Sequence, residues 1–138
     1  MKFIINFIEV LTKQHKYCKI VFIILKKGVS VMKVFTAKSV GNEVMAVYGD
    51  RKYVLMFETS KMAKTFVKEL EETQRDFWEN GKNRKKAMDL NLNMLTVRMN
   101  FNKSGNSDWW TMVATMTDKE QLKCFYEDLR YAIWGPIP

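Results

Sequence analysis

VFTAKSVGNEVMAVYGDRKYVLMF, residues 34–57, decides the fold. Three β-favouring runs, 34–40, 43–48 and 52–57, are separated by Gly41-Asn42 and Gly49-Asp50. Gly and Asn admit the positive φ that tight two-residue turns need, so the stretch predicts an antiparallel meander. Alternating apolar and polar positions give each strand one face for a core and one for water.

Toward the C-terminus the period changes from two to three and four. Ser60 is placed to cap a helix in which Ala63, Phe66, Val67, Leu70, Phe77 and Trp78 form an apolar stripe, with Glu71 one turn before Arg75 and Gly81 as the stop. The stripe should cover the meander and leave Lys64, Lys68, Glu71 and Glu72 in water. A basic stretch, Lys82-Asn83-Arg84-Lys85-Lys86, then leads to two β-like runs, 92–101 and 109–116, joined by Lys103-Ser104-Gly105-Asn106-Ser107 as a hairpin. Thr117-Asp118-Lys119-Glu120 reads as a capping box, and Leu122, Phe125, Tyr126, Leu129 and Ile133 as the stripe of a last helix ended by Gly135-Pro136. The expected order is βββαββα, a single α+β domain over residues 32–138 without internal repeats.

Residues 1–31 differ in kind. Ile, Lys and Phe dominate, all with AT-rich codons, and no amphipathic period persists. If Lys26, Lys27, Gly28 and Val29 are encoded AAA, AAA, GGA and GTN, the message reads AAAGGAG, a bacterial ribosome-binding sequence about eight nucleotides before the Met32 codon. Residues 1–31 are therefore expected to lie upstream of the true start. The alternative is an amphipathic helix over 2–13 followed by a strand over 19–25, and the intact mass of the native protein separates the two.

The 138 residues suit one domain, and 47% hydrophobic residues supply a core rather than a disordered chain. The formal charge of +8 invites a nucleic-acid reading, but the first 31 residues hold six Lys against the single acid Glu9. That leaves 17 of the 23 basic and 14 of the 15 acidic residues, a net +3, in the body. The longest apolar run in the N-terminal segment, residues 20–25, is too short to span a bilayer and has no cleavage site after it, so no membrane association is expected. Cys18 and Cys124 make neither a disulfide framework nor a metal spacing, which points to a reducing cytosol.

Catalytic chemistry lacks material. The one histidine, His15, precedes Met32, so a histidine base, a nucleophile–histidine pair and a His-containing zinc site are not expected in the body. No GxGxxG, GxxxxGK[ST] or GxSxG occurs. Cys124, between Lys123 and Phe125, reads as a packing residue, and Glu69, Glu72 and Asp76 as one solvated helix face. No catalytic residue, metal or cofactor is expected.

A ligand seat is expected on the hairpin. Symmetric pairing about its loop sets Phe101 opposite Trp109 and Asn100 opposite Trp110, with Leu95, Val97, Met99, Phe101, Trp109 and Val113 facing the core. The outer face would then carry Arg98, Asn100 and Trp110 among Thr96, Met112 and Ala114. An indole, a guanidinium and an amide in one patch suit stacking on a base and holding a phosphate, with Arg84 and Lys85 adding charge. The other reading packs Trp110 under a helix, because a slip of one residue exchanges the faces.

The meander–helix–hairpin–helix order, the Phe77-Trp78 pair at a helix end and the Arg98, Asn100 and Trp110 patch resemble phage anti-Thoeris proteins that sequester cyclic ADP-ribose isomers. The resemblance covers residues 32–138 in outline. It implies a cytosolic, oligomeric, non-enzymatic sponge for an immune-signalling nucleotide, with rings for adenine and arginines for pyrophosphate. The expected ligand-binding residues are thus Phe77, Trp78, Arg84, Arg98, Asn100 and Trp110. Two alternatives use the same surfaces: a single-stranded nucleic-acid binder using the 82–86 loop, and a protein–protein inhibitor of a host defence complex.

Overall fold

The computed structural model describes residues 21–25, 28–101 and 112–136, with side chains from residue 32 onward. Ahead of the meander, β1 (Val21–Leu25) and β2 (Gly28–Met32) pair as a separate antiparallel hairpin. The strand that the alternative reading places over 19–25 overlaps β1, while its helix over 2–13 lies outside the described residues.

The meander forms as read: β3 (Thr36–Val40), β4 (Glu43–Tyr48) and β5 (Arg51–Phe57) are antiparallel neighbours. Gly41 and Gly49 turn the chain at φ of 62° and 65°, where a side chain would be strained. After α1 (Ser60–Trp78) come β6 (Ala87–Asn91), β7 (Thr96–Asn100), β8 (Met112–Thr115) and α2 (Lys119–Trp134). The sheet order is β3-β4-β5-β8-β7-β6, so the protein is α+β with an N-terminal meander and a C-terminal helix.

Three local expectations need correction. The run expected over 92–101 is broken: residues 92–95 form a turn, Met94 N–H donates to Asn91 Oδ1 at 3.0 Å, and Leu95 sits at φ 57°. The residues ahead of that turn become β6, an edge strand that alternation alone did not reveal. The helix caps also move by one residue. Thr59, not Ser60, accepts from Met62 N–H, and Asp118, not Thr117, accepts from the Glu120 and Gln121 N–H groups. Each is the last extended residue before its helix, where a side-chain oxygen reaches the free donors of the first turn.

The register of β7 and β8 is offset by one residue from symmetric closure. Val97 pairs with Ala114, Arg98 with Val113 and Met99 with Met112. Met112, Ala114 and Met116 are therefore buried and Val113 is exposed, the reverse of the expected assignment. The physical reason is the apolar content of the two sets: Met, Ala and Met at period two outweigh Val and Thr for the side facing the helices.

Both helices cover one sheet face. Ala63, Phe66 and Leu70 of α1 and Leu122, Phe125 and Leu129 of α2 join Val44, Leu55, Phe57, Val97 and Met99 in one core. Each fully buried Phe or Leu contributes about 2 kcal/mol. At the far end, Asp128 of α2 accepts both oxygens' worth of contact from Arg51 Nη1, at 3.0 and 2.9 Å, and a 2.6 Å bond from the Tyr53 hydroxyl. Burial and the Asp128 charge push the Tyr48 and Tyr53 phenols far above their ordinary range, so both keep their protons. The cluster ties β5 to α2. Cys124 is exposed on α2, not packed as expected.

Candidate functional site

The C-terminal ends of α1 and α2 meet, and each ends in a tryptophan. α1 stops because Gly81 turns at φ 64°, while Lys82 N–H donates to Asp76 O at 2.7 Å. The chain then doubles back along the helix it has just left. This brings Arg84 against Glu69 at 3.2 Å, Asp76 at 3.1 Å and Glu72 at 3.8 Å, three carboxylates spaced three and four residues apart on one helix face. Arg84 Nη1 also donates to Phe101 O at 3.4 Å. Burial pushes the Asp76 carboxyl up, but hydrogen bonds from Asn80 and Arg84 outweigh that and hold it below the usual carboxylate range. Arg84 thus fastens the returning chain, and its charge is taken up by its three partners.

Two residues further on, Lys86 enters an aromatic cluster. Its Nζ lies 5.5 Å from the Phe77 ring centroid and 5.4 Å from that of Trp134, and donates to Asn83 Oδ1 at 2.6 Å. Phe77 and Trp78 meet edge to face at 5.0 Å, and Trp78 lies 5.9 Å from Tyr131. Trp78 Nε1–H donates to Ala132 O at 2.8 Å, fixing the indole across the helix ends. Gly135, at φ 75°, leaves room for the Phe77 ring: a Cβ there would stand 2.8 Å from it. Phe77, Trp78, Tyr131 and Trp134 are all half-buried, so the cluster retains accessible ring surface.

Burial, with Arg84 adding repulsion, pushes the Lys86 ammonium down to about 8. The two ring faces act in the opposite direction, since their quadrupoles attract a cation. Near neutral pH the amine is a cation with an incomplete hydration shell, and the exposed Lys82 and Lys85 flank it in the chain. Such a group gains strongly from an anion, while flat half-exposed rings gain from a planar guest.

The expected site residues divide among three places. Phe77, Trp78 and Arg84 gather at the helix ends. Arg98 is exposed on β7, on the sheet face turned away from the helices. Asn100 is only 3% exposed and presents no amide outward, a correction to the expected seat, and Trp110 lies outside the described residues. Sequence reasoning missed Lys86, Tyr131 and Trp134. A usable signal was present: an aromatic at each helix terminus, Trp78 shortly before Gly81 and Trp134 directly before Gly135, with the basic run between the two helices.

Among the described residues no group of His, Cys, Asp and Glu is arranged to hold a metal, and no helix is long and apolar enough to cross a membrane. No family model, curated protein or solved structure matches the chain.

Proposed function

We propose that this protein is a non-enzymatic, cytosolic binding module that sequesters a nucleotide, and that it serves as a phage-derived anti-defence protein against an immune signal such as a cyclic ADP-ribose isomer. The observation that carries the reading is the Lys86 ammonium set between the Phe77 and Trp134 rings, with Trp78 alongside. A base stacks on half-exposed rings, and the lysines of the returning chain neutralise its phosphates. The seat differs from the hairpin patch expected from sequence, since Asn100 is buried and Arg98 lies on the other sheet face.

The sequence supports the non-enzymatic part, because residues 32–138 contain no histidine and no nucleotide-hydrolysing motif. Thermal unfolding with cyclic ADP-ribose isomers, linear ADP-ribose and short oligonucleotides tests the reading. A ligand that binds only the folded state raises the melting temperature by mass action. A shift with the cyclic nucleotides and recovery of the ligand unaltered is the expected result. A shift confined to oligonucleotides, or cleavage of the ligand, contradicts it.

A second reading, inhibition of a defence protein by direct contact, is favoured by the exposed Met45 and Met56 on the uncovered sheet face.

A further inference from the structure

Lys86 is set apart from the exposed lysines of the protein by what surrounds its amine. Its side chain is half-buried, and the two helices meet its Nζ with the rings of Phe77 and Trp134, at 5.5 and 5.4 Å from their centroids. Among the described residues it forms no ion pair, whereas Arg84, two positions earlier, is matched by Glu69, Glu72 and Asp76. Its Nζ donates to Asn83 Oδ1, an uncharged acceptor, at 2.6 Å. The neighbouring charge that acts on it is the like charge of Arg84.

A lysine becomes a nucleophile near neutral pH when apolar neighbours strip its water or another cation stands beside it, because both disfavour the ammonium. Lys86 has both. Burial first, and Arg84 second, push its ammonium down to about 8. At neutral pH its share of free amine then exceeds that of an ordinary lysine on the order of a hundredfold. Phe77, Trp78 and Trp134 are half-buried, so ring surface is open at the cluster, and the exposed Lys82 and Lys85 stand on the same stretch of chain. The rings suit a planar guest, and the lysines suit a phosphate on it.

We infer that Lys86 is a covalent capture site for phosphorylated planar aldehydes. The free amine adds to the aldehyde carbon, a C–N bond forms, and the carbonyl oxygen takes up the proton that the nitrogen gives off. The hydroxyl of this carbinolamine then leaves as water with one further proton from the nitrogen, whose lone pair closes the C=N bond. Nothing is oxidised or reduced, and hydrolysis of the imine releases the aldehyde. The chemistry shares its rings with the proposed nucleotide seat but needs no nucleotide.

Pyridoxal 5′-phosphate, added in equimolar amount to the full chain, tests this, with borohydride reduction of the imine and peptide mapping by mass spectrometry. Mapping also separates Lys86 from the chain's α-amino group, whose ordinary range is similar. Lys86 should react about tenfold or more faster than the exposed Lys61, Lys64 and Lys68, with a rate that rises through a midpoint near pH 8. Lys86→Arg, which keeps the charge and removes the nucleophile, should lose the fast label while melting as wild type does. Trp134→Ala, which lets water reach the amine, should move the midpoint toward the ordinary lysine value. Pyridoxal without its phosphate should react several-fold more slowly. Label spread evenly over the exposed lysines, a midpoint near that of an ordinary lysine in the wild type, or equal rates with and without the phosphate would overturn the inference.

Discussion

The side-chain amide of Gln74 holds both backbone groups of Phe35: Phe35 N–H donates to Gln74 Oε1 at 2.7 Å, and Gln74 Nε2 donates to Phe35 O at 3.1 Å. One side chain on α1 thereby satisfies both backbone groups of the residue that leads into β3, one position ahead of the β3–β4 ladder. Phe35 is buried against Tyr48, Tyr53 and Phe125, so water cannot replace the amide.

Gln74→Leu preserves volume and orphans both groups. A buried unpaired polar group costs about 1–3 kcal/mol, so a loss of about 2–4 kcal/mol is expected in urea unfolding. A loss below about 1 kcal/mol would show that the clasp contributes little.

Gly135→Ala puts a methyl where the Phe77 ring stands and forces a side chain onto a backbone at φ 75° and ψ −172°. That region is almost confined to glycine and costs on the order of 1–3 kcal/mol for other residues. The variant should lose about 2–4 kcal/mol, and displacement of the ring should weaken ligand binding in the protein that remains folded.

Arg84→Gln leaves Glu69, Glu72 and Asp76 facing one another without their cation. Removing one partner of a partly buried network should cost about 2 kcal/mol in chemical unfolding. Because Arg84 acts through its fastening of the chain, ligand affinity measured well below the melting temperature should fall less than in Lys86→Met. Equal losses would show that Arg84 itself touches the ligand.

Lys86 gives a pH signature with a definite sign. Its ammonium is held at about 8 when folded against an ordinary 10.5, so between those values the unfolded chain binds more protons and stability rises with pH. Tyr48 and Tyr53 are raised above their ordinary 10.0, so their contribution is complete below that value and is lost above it. Stability should therefore climb from about pH 8 to 10 and then decline, and Lys86→Met should lack the climb. Binding of an anionic ligand should weaken through the same pH 8 region, where the ammonium is lost.

The two legible signals in the chain were local ones. Gly41 and Gly49 stand where only a positive φ closes the meander, and the stripes from Ala63 to Trp78 and from Leu122 to Ile133 name the helix faces. Strand β6 was hidden because Ala87–Asn91 is short and shares its alternation with a basic run, while the Asn91 turn that separates it from β7 depends on one side-chain bond. The β7–β8 register was not legible from loop symmetry, since it follows from which set of side chains the helices cover. The site was half legible. Phe77 and Trp78 stand out at a helix end, but nothing local says that Trp134, 56 positions after Trp78, returns to the same place, or that Lys86 lies between the rings.

Isothermal titration of the full chain and its Trp134→Ala and Lys86→Met variants with cyclic ADP-ribose isomers tests the central claim most directly. The account predicts saturable binding of one ligand per chain, weakened about tenfold or more by either substitution, as expected for loss of one stacking face or one desolvated charge contact. An absence of heat with any isomer at saturating concentration, or undiminished affinity in both variants, would contradict it.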